Sequence, residues 1–260
     1  MPTGPDGCPL LGSEHPPAGG VSECAILAGE SAQFHAGANM QQSLGVRRHR
    51  DEFMASRSTS SGTCALCGIH AGKAKMATHL ETCAASADTG GSSQLLIRLR
   101  IDDRYAPGYW IYVEMRADTT LQHLDSFLRQ LWLECCGHLS AFFVDRRELA
   151  MGKRAGTAFQ TIGTTFHYEY DFGSTTALTG HVLKSRHGSI GRGPVRLLAR
   201  NDPPALSCAQ CTSAAILVCP YCPEDGLFCD THAAVHEHAA EEAYLPVVNS
   251  PRMGVCGYTG

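Results

Sequence analysis

At 260 residues, with 43% hydrophobic and 18% charged side chains and a formal net charge of −4, the chain has room for one mid-sized core with satellites or for two domains. No run of about 18 apolar residues occurs, which argues against a membrane-spanning helix, and the first basic residue is Arg47, so no signal peptide is expected. Thirteen cysteines in that setting, several in C-x2-C spacing beside histidines, point to reduced thiols in a cytoplasm rather than to disulfides.

Residues 1 to about 60 are rich in Gly, Pro, Ser and Ala, and Pro16-Pro17 and Gly19-Gly20 interrupt any element, so 1–60 is expected to be a disordered tail. It carries a short basic cluster, Arg47, Arg48, His49 and Arg50. Residues 61–86 hold Cys64-x2-Cys67 followed by His79-x3-Cys83. The stretch from Lys73 to Cys83 suits a helix, on which His79 and Cys83 share a face at i and i+4. Two thiolates from a tight turn and two ligands from a helix make a C2HC zinc finger, with His70 in the loop as a competing donor. A small-residue linker follows from Ala84 to Ser93.

Residues 94–200 have the texture of a folded domain. Ile97, Leu99 and Ile101 alternate with Arg98 and Arg100, which predicts a half-buried strand, and Tyr109, Ile111, Val113 and Met115 predict a second beyond the Ala106-Pro107-Gly108 turn. Asp118-Thr119-Thr120 offers caps ahead of Leu121, Leu124, Phe127, Leu128, Leu131 and Trp132, a helix closed by Gly137. Phe142 to Val144 suits a short strand. Phe166, Tyr168, Tyr170 and Phe172 alternate with His167, Glu169 and Asp171 in another, and Thr175 to Leu183 and Val195 to Ala199 supply two more. The expected class is α+β, a mainly antiparallel sheet with one principal helix, flanked by small zinc-binding modules.

Residues 205–258 contain Cys208-x2-Cys211, Cys219-x2-Cys222, Cys229-x2-His232 and His236-x-His238. Eight donors in four pairs suit two tetrahedral zinc ions. Alternate pairs sharing an ion would give the cross-brace of RING-like and B-box-like modules; sequential pairing would place Cys208, Cys211, Cys219 and Cys222 on one ion. Thr231 to Glu242 is helix-compatible, and on a helix His232 and His236 would share a face, which leaves their allocation open; Cys256 is a further candidate. With the finger, these donors imply three structural Zn²⁺ ions. Cys8, Cys24, Cys135, Cys136 and Cys256 are left without an assigned role.

The run Thr120-Leu121-x2-Leu124, then Gly137-His138-Leu139-Ser140-Ala141-Phe142, then Tyr168-Glu169-Tyr170-Asp171-Phe172-Gly173-Ser174-Thr175-Thr176 resembles the family named for the third open reading frame of a root-inducing plasmid (the plasmid pRi ORF-three-like family), also described as a passenger protein of insertion elements. The resemblance covers about residues 94–200. Members resembling this chain carry a cysteine-rich tail ending much as Leu245-Pro246-Val247-Val248-Asn249-Ser250-Pro251-Arg252-Met253-Gly254-Val255-Cys256-Gly257-Tyr258 does, with a cysteine where this chain has His238. It implies a shared fold and a link to mobile elements, and brings no established activity.

Between Asp202 and Asn249 there are seven acidic residues and no Lys or Arg, so this module is expected to meet protein partners. Nucleic acid binding, as an alternative, would fall to the N-terminal half, through the finger, Arg98 and Arg100. The His167, Glu169 and Asp171 face is the one set that suggests general acid–base chemistry, and it reads more simply as a solvated sheet face. No phosphate loop, nucleophile elbow, Rossmann fingerprint or H-E-x-x-H occurs. The sequence thus reads as a non-enzymatic, zinc-binding adaptor or regulator.

Overall fold

The computed structural model describes residues 60–222, 225–241 and 243–260. The tail expected before residue 60, with its Arg47–Arg50 cluster, lies outside the described residues. No helix among them is long and apolar enough to cross a membrane.

The main element is a nine-stranded, fully antiparallel sheet. Its strands are β1 (Ser61–Cys64), β2 (His70–Gly72), β3 (Gln94–Asp103), β4 (Trp110–Arg116), β5 (Ser140–Val144), β6 (Arg147–Leu149), β7 (Thr165–Tyr170), β8 (Thr176–Gly188) and β9 (Val195–Asn201). Their order is β2-β1-β9-β4-β3-β8-β7-β5-β6. The helices are α1 (Lys73–Ser86), α2 (Leu121–Leu128), α3 (Ala155–Ala158) and α4 (Asp230–Ala233). A second sheet, in the order β11-β10-β12, is formed by β10 (Leu217–Val218), β11 (Leu227–Phe228) and β12 (Leu245–Pro246).

Helical content is spread rather than concentrated in one principal helix. The longest helix is α1, while the segment expected to be principal is only eight residues of α-helix, widened at its end into a π-helical turn, Arg129–Leu133. That turn puts both Trp132 and Leu133 in the core. Arg129 holds it by donating to Asp125 Oδ2 at 2.9 Å, Glu134 Oε2 at 2.8 Å, the His138 carbonyl at 2.6 Å and Ser140 Oγ at 2.9 Å.

Successive residues of a strand face opposite sides of the sheet. Ile97, Leu99, Ile101, Ile111, Val113 and Met115 pack with Leu121, Leu124, Leu128 and Trp132 in the larger core. Trp110 and Tyr112 point the other way and meet Met76, Leu80 and Ala84 of α1 in a second core. β4 is therefore buried on both faces, so β3 and β4 are not the half-buried strands that the Arg98/Arg100 alternation suggested. The finger is likewise not a free-standing appendage, because β1 pairs with β9 and extends the sheet. Gly62 is needed at this junction: a Cβ there would collide with the Arg200 carbonyl and come within 2.7 Å of the Trp110 ring.

The second core has an ionic centre. Glu114 is fully buried and meets three guanidinium groups: Arg98 Nη2 at 3.0 Å, Arg186 Nη2 at 2.8 Å and Arg196 Nη2 at 2.9 Å. Burial pushes its carboxyl towards the neutral form, but Arg186, Arg196 and Arg98 outweigh that and hold it below the usual carboxylate range. The same arginines reach α1. Arg98 pairs with Glu81 at 3.0 Å, Arg186 with Asp88 at 2.8 Å, and Lys184 with Glu81. Arg186 and Arg196 each donate to the Ala84 carbonyl at 3.1 Å, and Arg196 to that of Ala87 at 2.8 Å. The last turn of α1 has no basic residue of its own, so strands β8 and β9 supply the cations that complement its carbonyl end.

Glu114→Ala should leave three buried guanidinium groups short of a counter-charge. Unfolding in urea should show a loss of about 3–5 kcal/mol, the usual cost of breaking a buried pair by removing one partner. A loss below about 1 kcal/mol would mean that the arginines find water instead.

Candidate metal centres

Four groups of four Cys and His donors lie among the described residues, the donor atoms of each group within 4.8 Å of one another. In the first, the turn between β1 and β2 presents Cys64 and Cys67, while α1 presents His79 and Cys83. Gly68, with φ 76°, lets the knuckle turn back, its N–H donating to the Cys64 carbonyl at 2.9 Å. Cys64 Sγ lies 3.8 Å from Cys83 Sγ, and Cys67 Sγ lies 3.2 Å from His79 Nε2. His70, the competing donor, is turned away to Asp202 at 2.5 Å.

At the C-terminus, alternate pairs come together. Cys208 and Cys211 meet Cys229 and His232; Cys219 and Cys222 meet His236 and His238. Cys211 Sγ lies 3.9 Å from Cys229 Sγ, and His232 Nδ1 lies 3.4 Å from Cys208 Sγ and 3.3 Å from Cys229 Sγ. In the other group Cys222 Sγ lies 3.2 Å from His236 Nε2, and His238 Nδ1 lies 3.6 Å from Cys219 Sγ. The helix suggested from Thr231 to Glu242 is shorter than that. It ends at Ala233, and a brief 3₁₀ turn covers Ala239–Glu241. His232 and His236 therefore do not share a helical face, and each joins a different group. The Phe228 ring supports His236, with centroids 4.4 Å apart.

The fourth group is one that sequence spacing did not single out: Cys135, Cys136, His138 and Cys256. The first three follow the π-helical turn, and Cys256 arrives from the end of the chain. Cys136 Sγ lies 2.9 Å from His138 Nε2 and 3.5 Å from Cys256 Sγ, and His138 Nε2 lies 3.2 Å from Cys256 Sγ. The C-C-x-H run is a weak signal by itself, and nothing in the sequence ties it to a residue 118 positions further on.

The donor chemistry fits zinc. A tetrahedral ion with Zn–S bonds of about 2.3 Å spaces its sulfurs roughly 3.8 Å apart. Disulfide sulfurs stand about 2.05 Å apart, and every cysteine among the described residues is free. Crowding shows in the thiols as well. Burial, helped by Cys67 and Cys64, pushes Cys83 up to about 12, and burial beside Cys219 pushes Cys222 up to about 11. Burial also raises Cys208, but the backbone amides of Cys229, Gln210 and Cys211 outweigh it and bring that thiol down to about 6.

Other candidates are not assembled. His167 Nδ1 lies 3.4 Å from Thr179 Oγ1, whereas Asp171 leaves the strand with φ 64° and is taken by Arg252 at 2.6 Å. The expected His167, Glu169 and Asp171 face is thus broken at its last member, and Phe172 beyond it is exposed instead of turned inward. Arg98 is buried in its ion pairs, and Arg100 is paired with Asp102 at 2.8 Å.

No family model matches the sequence, and no curated protein matches it. Among solved structures, a protein of unknown function from Methanosarcina mazei Go1 aligns with a TM-score of 0.37 and 14% identity, over 42% of this chain and 70% of that one. The resemblance to the plasmid family therefore rests on its sequence motifs alone.

Cys229→Ser removes a ligand from the Cys208 group. Limited proteolysis should then cut within 205–247 and leave a resistant fragment containing 60–202, because the sheet has its own apolar cores. Loss of the whole sheet would show that it depends on this site. Acid should release metal from all groups: thiols that sit high without a cation, such as Cys83, recapture protons as pH falls, which a zinc-release dye would follow.

Proposed function

We propose that this protein is a non-enzymatic zinc protein whose C-terminal module acts as an adaptor surface for a protein partner. The observation that carries this reading is the completeness of the donor sets. Four protein ligands fill a tetrahedral ion and leave no position for a reacting water, the arrangement of structural rather than catalytic zinc. Such an ion supplies the folding free energy of a small module, about 10–16 kcal/mol in finger peptides.

Two features of the module support a protein partner. Residues 202–249 carry acidic side chains and no Lys or Arg, which suits a basic protein surface and not a phosphate backbone. The module also exposes large apolar side chains: Ile216 at 51%, Tyr221 at 53% and Val235 at 75%. Exposed aromatic and aliphatic side chains of this size are the kind that protein interfaces bury. The nucleic acid alternative has lost its best residues, since Arg98 and Arg100 are already engaged by carboxylates.

Cross-linking of partners captured from the native source, followed by peptide mapping, should place the contacts in residues 205–247. Val235→Asp should weaken that capture several-fold while leaving metal content unchanged. Binding of RNA or DNA by the full chain, weakening steeply with salt, would contradict the proposal.

A further inference from the structure

Residues 249–258 form a strap laid back on the large sheet. Asn249 exchanges hydrogen bonds with Asn201, donating to its carbonyl at 2.8 Å and accepting from its Nδ2 at 2.8 Å. Ser250 Oγ donates to the Trp132 carbonyl at 2.6 Å. Arg252 is completely buried. It pairs with Asp171 at 2.6 Å, donates to the Ser174 carbonyl at 3.0 Å and to Thr176 Oγ1 at 3.1 Å, and lies 4.8 Å from the centre of the Tyr170 ring. Beyond it the chain turns, and Cys256, with φ 52°, is delivered to Cys135, Cys136 and His138.

We propose that Cys135, Cys136, His138 and Cys256 form a fourth zinc-binding site, which clasps the end of the chain to the large sheet. Three thiolates and one imidazole are a soft, complete tetrahedral set. Cys135 Sγ lies 3.7 Å from Cys136 Sγ, and Cys136 Sγ lies 3.5 Å from Cys256 Sγ, close to the spacing of thiolates on one ion.

The surroundings have the character of a built site. His138 turns Nε2 to the sulfurs, and its Nδ1 faces Asp171 Oδ1 at 3.6 Å, beyond hydrogen-bond distance but on the side where a carboxylate backs a zinc-bound imidazole. The Tyr170 ring meets His138 edge-on at 5.7 Å. Arg252 Nη2 lies 3.5 Å from Cys135 Sγ, where its charge offsets the net negative charge of a zinc held by three thiolates. The Arg252–Asp171 ion pair thus anchors the strap beside the histidine. The site also differs from the other three. Each of those has one buried ligand, whereas here none is buried and Cys136 and Cys256 are exposed. The clasp should therefore be the first site to yield to a chelator, and its opening should free the strap from residue 253 onward while the Cys208 and Cys219 groups remain closed.

Native mass spectrometry of the full chain, purified without added metal, should show four zinc ions, and Cys256→Ser should show three. A second measurement needs no variant. In the zinc-loaded wild-type protein, iodoacetamide should spare Cys135, Cys136 and Cys256, and brief treatment with a weak chelator should open these three before the cysteines of the other groups. The proposal is overturned if the wild type holds three ions, or if Cys256→Ser still holds four. It is equally overturned if Cys136 and Cys256 alkylate at once in the loaded protein, or are found joined as a disulfide.

Discussion

Crowded thiols are the constraint on which this structure turns. Placing two or three cysteine sulfurs and one or two histidine nitrogens within 4.8 Å of one another crowds groups that repel when the thiols ionise, and pushes thiols such as Cys83 and Cys222 upward. Only a cation at the centre makes such an arrangement favourable. Where two such clusters sit in about fifty residues, with only three two-residue strands and short helical turns between them, little apolar core is present, and metal bound at the two clusters would do most of what a hydrophobic core does elsewhere.

The large sheet stands on a different footing. Its two apolar cores, one against α2 and the following π-helical turn and one against α1, make it stable in its own right. The first metal site is joined to it by the pairing of β1 with β9, by the apolar core under α1 and by an ionic centre. Glu114, buried between the sheet and α1, draws Arg98, Arg186 and Arg196 together, and the last two also cap the carbonyl end of the helix that carries His79 and Cys83. The finger thus shares its helix with the core and its strands with the sheet. The strap closes the fold from the other end, with Arg252 buried beside the residues that lead into His138.

Much of this was legible in the sequence, and the exceptions have physical reasons. The antiparallel strands could be read because apolar residues alternate along them, and twelve of the clustered donors because they come in local pairs, C-x2-C, C-x2-H, H-x3-C and H-x-H. The half-buried strand that alternation predicts at Arg98 is buried on both faces, because alternation reports which residues share a face, not what covers that face; a helix from another motif covers this one. Asp171 was misread as a strand residue because its left-handed backbone is fixed by the turn amides of Gly173 and Ser174 and by Arg252, and its own neighbours give no warning of it. The cluster at Cys135 was missed for the most general reason: its fourth ligand is distant in sequence, and only the path of the strap brings it close.

Hydrogen–deuterium exchange of the full chain, before and after a strong chelator, tests the central claim most directly. Protection should fall in the Cys64–Cys83 segment, in 205–247 and in the strap from residue 253, and should persist in β3, β4 and β8, which have paired strands on both sides and apolar packing of their own. Loss of protection throughout the large sheet would contradict the account, and so would unchanged protection in 205–247 once the metal is gone.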